Sequence, residues 1–199
     1  MPPNDVTIVT ATGLEARAVR RHAPASAVVE AGVALKFLAR GRTFAAAISV
    51  GLAGGLNADL PTGTVVIPDL VAQTNGTMTH CDQTFTSALR ESAATLGIAY
   101  VTAPLLTSAT LIIGNGRERW AREGYAAVDM ESAFIPATRL AVVRVVLDTP
   151  LRELSPDWLN PLRAFLRPGN WSQAAWLARE GPRCADLAAR VVAAALERA

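Results

Sequence analysis

Hydrophobic runs alternate with amphipathic stretches over the first three quarters of the chain. Apolar, β-branched segments at residues 6–11, 45–50 and 141–147 have the length and composition of buried strands. Between such runs, residues 14–23 and 86–97 have the spacing of helices that bury one face. Strands separated by helices need crossover connections. The pattern therefore predicts an α/β fold, a three-layer sandwich whose central sheet is mixed but mainly parallel.

The pattern changes after residue 148. Residues 149–169 contain four prolines among apolar residues, which favours short turns over one long helix. Asn170 followed by Gln173 predicts a helix start, and the pair Gly181–Pro182 predicts its end, with a separate terminal helix beyond it. We expect one domain over residues 1–199, with residues 149–199 forming mostly helical C-terminal elements.

Composition narrows the classes of partner. Of the 199 residues 51% are hydrophobic and 18% charged, and the net charge is only +2 with the arginines scattered, so no nucleic-acid surface is predicted. The first residues do not have the pattern of a signal peptide, and no uncharged apolar run reaches 18 residues. The sequence thus predicts a cytoplasmic enzyme or binding protein.

The two cysteines, Cys81 and Cys184, lie far apart in the sequence, and no disulfide is predicted for a reducing compartment. His80 and Asp82 flank Cys81, but no second cluster of ligand residues accompanies them. A metal site needs several convergent ligands. We therefore predict no metal and no bound cofactor.

Three predicted strands end in residues that could contact a ligand, and in open α/β sheets ligands bind beyond the carboxyl ends of strands. The first strand runs into Gly51, Gly54 and Gly55. Glycines allow backbone N–H groups to approach an anion or a sugar hydroxyl closely. The run matches neither the P-loop nor the dinucleotide fingerprint, so a tight turn without a ligand stays an open alternative.

A second predicted strand, residues 141–148, contains Arg144 and ends at Asp148. Four residues apart on a strand, the two side chains are predicted to project from one face. A guanidinium within an apolar run must be paired or face a polar cavity. Both a structural ion pair with Asp129 or Glu131 and a ligand contact are open for Arg144, and Asp148 could instead cap the next turn.

The third ending is the segment Asp129, Met130 and Glu131. In an extended chain Asp129 and Glu131 project to the side opposite Met130, and a helix that begins at Glu131 would place its carboxylate near the helix N-terminus. A carboxylate is a natural acceptor for the vicinal diol of ribose, and a thioether offers a soft apolar contact. At least one of the two carboxylates is thus predicted to face the ligand crevice.

Taken together, these segments resemble the purine nucleoside phosphorylase and methylthioadenosine nucleosidase superfamily. The resemblance rests on three segments in order: the glycine segment with the strand predicted after it at residues 63–71, the VDMES motif at residues 128–132, and the Arg-x-x-x-Asp strand at residues 144–148. The start of the chain and the segment near residues 166–178 are most similar to the hopanoid-associated branch, whose substrate is adenosylhopane.

The resemblance implies a role for each matched residue. Glu131 would bind the ribose hydroxyls and Met130 the sugar face, which leaves Asp129 as a structural partner of Arg144. Asp148 would protonate the purine. Glu15 would hold an attacking water. Gly51, Gly54, Gly55 and Arg144 would line a water or phosphate pocket, and Ser108, Leu111 and Ile112 would bind the base. A general acid must be protonated to act, which burial in an apolar strand favours.

The sequence also departs from the family pattern. Leu147 precedes the acid where nucleosidases usually have Ser or Thr, and Leu111 stands where they have an aromatic residue. The segment between Ala133 and Val142 is shorter than in the family. These departures keep a non-catalytic nucleoside-binding module open as an alternative.

The resemblance implies an enzyme that releases adenine from a purine nucleoside, by phosphorolysis or hydrolysis. Its 5′ substituent is left open between a lipid-linked group, with peripheral membrane contact, and the small group of methylthioadenosine/S-adenosylhomocysteine-type nucleosidases. Trp158, Trp171 and Trp176 could cover an apolar 5′ group, or pack in the core or in a dimer interface. Inorganic phosphate is the co-substrate that phosphorolysis would need, and a homo-oligomer is expected.

Overall fold

Ten strands form one mixed sheet in the part of the chain that the computed structural model describes, residues 6–159 and 167–198. The strands are β1 Thr7–Thr10, β2 Ala27–Glu30, β3 Phe44–Gly55, β4 Val65–Val66, β5 Leu70–Gln73, β6 Met78–His80, β7 Tyr100–Val101, β8 Leu105–Thr107, β9 Ala127–Asp129 and β10 Ala137–Asp148. The helices are α1 Gly13–His22, α2 Gln83–Thr95, α3 Asn115–Arg122 and α4 Trp171–Arg198.

The two longest strands, β3 and β10, pair in parallel along their length and form the centre of the sheet. The order is β6-β5-β8-β9-β3-β10-β4-β7, and β1 joins the first half of β3 in parallel while β9 joins its second half antiparallel. The predicted α/β fold with a mixed sheet is thereby confirmed. Both central strands run as β-branched and small apolar residues because each is covered on both faces.

Helices α1, α2 and α4 cover one face of the sheet. Their apolar sides bury Val19, Leu89, Trp176 and Val192 against strand residues such as Val143. The opposite face is covered by α3 and by loop segments, which include the 3-10 turn Val33–Leu35. No helix in the described parts of the chain is both long enough and apolar enough to cross a membrane.

The C-terminal helix differs from the sequence prediction. Gly181–Pro182 does not end it: α4 is continuous over Trp171–Arg198 with Pro182 inside. A proline within a helix costs about 3 kcal/mol, but both halves of α4 pack on α1, α2 and the sheet, and this burial outweighs the local preference. Before it, 3-10 turns lie at Pro156–Leu159 and Pro168–Asn170. The turns predicted for residues 160–166 lie outside the described residues.

Three smaller boundaries were also predicted wrongly. Strand β3 does not end at Val50 but continues through Gly55. Residues 63–71 are not one strand, because Pro68 lacks an N–H donor and separates β4 from β5. Strand β10 begins at Ala137, so only the 3-10 turn Ser132–Phe134 connects it to β9. The segment between Ala133 and Val142, which is shorter than in the family, therefore leads directly from one strand into the next.

Candidate active site

A cavity of about 470 Å³ lies where β1, β3, β9 and β10 end. Most of the predicted catalytic, ribose-binding and base-binding residues line it, together with one glycine predicted for the water or phosphate pocket: Glu15, Leu111, Ile112, Met130, Glu131 and Asp148, and Gly54. Its remaining walls are largely apolar, with Leu14, Val33, Leu154 and Leu177 among them. A mainly apolar cavity of this size with a few convergent polar groups is typical of a small-molecule site.

Glu15 is held in the cavity wall by the start of α1. Thr12 caps the helix and donates through its N–H (2.7 Å) and its hydroxyl (2.9 Å) to Glu15 Oε2, in a capping box. The Leu52 N–H donates to Oε1 at 2.9 Å. Burial raises the pKa of Glu15, and the charge of Arg144 and these hydrogen bonds oppose the rise. An oriented carboxylate with a raised pKa is suited to accept a proton from water.

Gly51 leaves the space that Glu15 occupies. A Cβ at residue 51 would lie 2.9 Å from Glu15 Cδ and 3.2 Å from Arg144 Nη1. The glycine is required by close packing of the two charged side chains, whereas the sequence assigned it to a water or phosphate pocket. Gly54 lines the cavity, and Gly55 packs on Val146.

Arg144 is buried and forms the structural ion pair that the sequence left open. Its Nε donates to Asp129 Oδ2 at 2.8 Å and its Nη2 to Ser49 Oγ at 2.7 Å. Thr107 and Ser132 donate to the same Asp129 carboxylate. Burial alone would lower the pKa of Arg144, but the nearby carboxylates outweigh it and raise the pKa. The prediction that Asp129 is a structural partner of Arg144 is confirmed, and Arg144 itself does not line the cavity.

Glu131 faces the cavity next to Met130. Its Oε1 accepts from the Ala34 N–H (3.0 Å) and its Oε2 from the Met130 N–H (3.2 Å), while Arg144 Nη2 lies 3.9 Å from Oε2. Burial, with the charge of Asp129, raises the pKa of Glu131 to about 7. Each oxygen keeps a lone pair for a further donor, so the carboxylate can accept from two neighbouring hydroxyl groups.

Ala34 reaches Glu131 from a strained turn. Ala34 and Leu35 have φ of 54° and 58°, values that non-glycine residues rarely adopt. Such conformations cost of order 1–3 kcal/mol each and concentrate at functional sites. No local pattern in the sequence indicates this turn, because the contact joins residues 97 positions apart.

Asp148 ends β10 at the other side of the cavity, where it pairs with a residue that the sequence analysis missed. Arg117 Nη2 donates to Asp148 Oδ2 in a buried ion pair. The register of β10 against β3 shifts between Val146 and Asp148. Spacing alone therefore does not relate Asp148 to Arg144, and the two side chains have separate partners. The Arg117 guanidinium compensates the charge of the Asp148 carboxylate and fixes its orientation.

A periodic signal in the sequence could have pointed to Arg117. Trp120 and Ala121 follow it by three and four residues and pack on the same small core cluster, so Arg117 lies on the inward side of α3. Its charge made it look like the exposed Arg119 and Arg122 nearby. Only the tertiary structure decides which one of these three arginines is buried.

The other residues singled out in the sequence make contacts within the protein. Ser108 bonds within its own turn, its hydroxyl donating to the Thr110 carbonyl at 2.6 Å. Trp176 is buried in the main core, and Trp158 donates to Gln173 at 2.9 Å. Asp82 caps α2 and pairs with Arg139. The C-terminal residues that line the cavity are therefore Leu154 and Leu177, not the tryptophans.

Comparisons with known proteins identify the family and the fold. A family model described as the phosphorylase superfamily matches residues 5–138. Curated proteins give no match to the sequence.

Solved structures share the fold at low sequence identity. Helicobacter pylori 5′-methylthioadenosine/S-adenosyl homocysteine nucleosidase, in complex with a substituted pyrrolidinol, superposes with a TM-score of 0.72 at 12% identity over 100% of both chains. Futalosine hydrolase of the same organism gives 0.71 at 12% identity over 99% of each chain. The Streptococcus pneumoniae 5′-methylthioadenosine/S-adenosylhomocysteine nucleosidase, with a transition-state inhibitor, gives 0.70 at 18% identity over 96% of this chain and 98% of that one.

Proposed function

Because the chain belongs to the phosphorylase superfamily, we propose that it hydrolyses the N-glycosidic bond of a purine nucleoside. The observation that carries the proposal is the placement of Glu15, Glu131 and Asp148 around one cavity with Met130 beside them. Cleavage of this bond passes through a cationic sugar and a departing base. Carboxylates can bind the sugar, activate water and contact the base at separate points of such a cavity.

Each of these residues acts on a different part of the substrate. Glu131 accepts hydrogen bonds from the ribose hydroxyls, with Met130 against the sugar. Glu15 takes a proton from water as the water oxygen bonds to C1′. The electron pair of the C1′–N9 bond passes to the purine, which takes up a proton from the surrounding water as it leaves, and Glu15 then returns its proton to the solvent. Asp148 contacts the base. Anionic groups near C1′ also stabilise the positive charge that develops there.

Charge supports water over phosphate as the nucleophile. Among the described residues that line the cavity, the cationic side chain is Arg117, and it is committed to Asp148 and Glu153. Arg144, assigned by the resemblance to a phosphate pocket, is committed to Asp129. A phosphate dianion would meet uncompensated carboxylates, which repel it.

The apolar wall supports an uncharged 5′ substituent. Leu14, Val33, Leu154 and Leu177 form this part of the lining, and burying apolar surface there contributes roughly 25 cal/mol per Å². Two uncharged 5′ substituents of different length are to be compared, a methylthio group and a long lipid-like chain. Turnover of 5′-methylthioadenosine against an adenosine with a long 5′ alkyl group tests them, and preference for the small group contradicts a lipid-linked substrate.

One assay tests the reaction itself. Adenine release from 5′-methylthioadenosine is followed with and without inorganic phosphate, and equal rates are expected. The Glu15→Gln variant should lose activity, whereas Glu91→Gln, a change on the exposed side of α2, should keep it. Phosphate-dependent release would refute hydrolysis, and full activity of Glu15→Gln would refute the assignment of Glu15.

A second candidate is a nucleoside-binding protein without catalysis. The Arg117–Asp148 ion pair favours it, because the carboxylate that would act on the base is already engaged by a side chain of the protein. Leu147, which lacks a hydroxyl beside the acid, favours it too. It predicts that the wild-type protein binds nucleoside but releases no base during long incubation, and that Asp148→Asn leaves affinity largely unchanged.

A further inference from the structure

The chain between β2 and β3 turns sharply over residues 31–38 and reaches the cavity beside Glu131. Val33 lines the cavity, and the Ala34 N–H donates to Glu131 Oε1 at 3.0 Å. A backbone hydrogen bond of 2.8 Å ties the start of this 31–38 turn to the end of β1. A connection between two strands therefore forms part of the cavity wall and contacts a side chain of the site.

Backbone strain is concentrated in the 31–38 turn. Gly32, Ala34 and Leu35 have φ of 77°, 54° and 58°, values that only glycine adopts readily. Strained conformations persist where the surrounding structure fixes them. Two backbone hydrogen bonds do so here, from the Leu35 N–H to the Gly32 carbonyl (2.9 Å) and from the Phe37 N–H to the carbonyl of residue 31 (2.7 Å). The turn therefore holds the Ala34 N–H in one direction.

The Phe37 ring braces this turn from the solvent side. A Cβ at Gly32 would lie 2.7 Å from Phe37 Cδ2 and 3.0 Å from Cγ, so the ring lies directly against the glycine. Phe37 is 73% exposed, and a large apolar side chain with this exposure contributes little to a core. The turn can therefore be disturbed at Gly32 without disturbing the core of the protein.

We propose that the 31–38 turn is a positioning element for Glu131 and thereby makes the site select ribonucleosides over 2′-deoxyribonucleosides. The Ala34 N–H holds Oε1 at 3.0 Å and the Met130 N–H holds Oε2 at 3.2 Å, so the plane of the carboxylate is fixed. Two fixed acceptors match two neighbouring hydroxyl groups, and a sugar with one hydroxyl leaves a buried acceptor unpaired, which is costly. A carboxylate free to rotate would discriminate less. The inference rests on the proposed function.

The test compares 5′-methylthioadenosine with its 2′-deoxy counterpart at pH 8, above the pKa of about 7 of Glu131. We expect the wild-type protein to favour the ribonucleoside by about 30-fold or more in kcat/KM. Gly32→Ala should lower this ratio by about tenfold, because the methyl group meets the Phe37 ring and φ of 77° disfavours alanine. The different intrinsic reactivities of the two substrates cancel when ratios are compared between variants.

Matched variants separate this role from a general effect of backbone strain. Gly41 lies in the same connection with φ of 78°, and a Cβ there would contact nothing in the described part of the chain. Gly41→Ala thus introduces the same strain away from Glu131 and should keep the ratio. Ala34→Gly retains the N–H and adopts φ of 54° freely, so it should keep the ratio as well. Ala34→Val should lower it, because a β-branched residue strongly disfavours that φ.

Each result decides the inference without deciding the proposed function. A wild-type ratio near one, or an unchanged ratio in folded Gly32→Ala and Ala34→Val, overturns the role of the turn while cleavage persists. An equal loss in Gly41→Ala overturns it too. If both nucleosides bind but neither is cleaved, the proposed function fails, and the ratio of their calorimetric Kd values in the same variants decides the inference. If the strained variants do not fold, Phe37→Ser, which removes the exposed ring from Gly32, should lower the ratio, and an unchanged ratio overturns the inference.

Discussion

Replacing Glu131 by glutamine should stabilise the folded protein above neutral pH while it weakens nucleoside binding. Burial, with the charge of Asp129, raises the pKa of Glu131 from 4.5 to about 7. A carboxyl whose pKa is higher in the folded state contributes stability that is fully present below about pH 4.5 and is lost as the pH rises through about 7. At about 1.4 kcal/mol per pKa unit, ionised Glu131 costs about 3 kcal/mol at pH 8.

The glutamine amide removes this cost but also changes one hydrogen bond. Its carbonyl can still accept from the Ala34 N–H, whereas its NH₂ group cannot accept from the Met130 N–H. Losing that bond costs about 1 kcal/mol. The net expectation for Glu131→Gln is a gain of about 2 kcal/mol in the free energy of unfolding at pH 8. At pH 5 the gain should be close to zero, because the glutamate is then mostly protonated in the fold.

Urea unfolding followed by circular dichroism at pH 5 and pH 8 measures both values, with Glu91→Gln on the exposed side of α2 as the control. Calorimetry with a non-cleavable nucleoside analogue at pH 8 measures the functional cost, which we expect to be at least tenfold in Kd. A loss of stability at pH 8, or an equal change at both pH values, would refute the electrostatic reasoning. Full affinity of Glu131→Gln would refute its assignment to the ribose hydroxyls.

Three further changes probe the remaining groups. Glu15→Gln should lower kcat by about 10²-fold or more with little change in Kd for a nucleoside analogue, as expected for loss of a general base; an equal loss in Kd would indicate a binding role instead. Gly51→Ala should abolish turnover, since its Cβ displaces Glu15, whereas Gly169→Ala, with open space around it, should not; normal activity of the first variant contradicts the packing argument. Asp129→Asn should lower the free energy of unfolding by about 3 kcal/mol, because Arg144 is left buried without its charge partner; urea unfolding tests this, and a change below about 1 kcal/mol contradicts it.

The candidate site illustrates which contacts a sequence pattern can identify. Arg144 within an apolar run required a buried partner, and the pattern offered Asp129 or Glu131. The resemblance assigned Glu131 to the ribose and left Asp129, with which the structure shows the pair. That inference worked because a buried charge imposes a strong local demand that few nearby residues can meet. Arg117 does not lie in an apolar run, so its sequence context did not require a buried partner. One arginine among several on a short, polar helix is normally expected to be exposed.

The hydrophobic pattern by itself determined the α/β class, the two central strands and the polar ends where the site lies, because strand burial leaves a period that can be read locally. Only the tertiary structure decided which polar groups meet. The Ala34 N–H reaches Glu131 across 97 positions, and Arg117 reaches Asp148 across 31. Burial against α1 and the sheet likewise carries α4 through Pro182. Local preferences amount to a few kcal/mol at most, so packing between distant segments overrides them and sets the chemistry of the site.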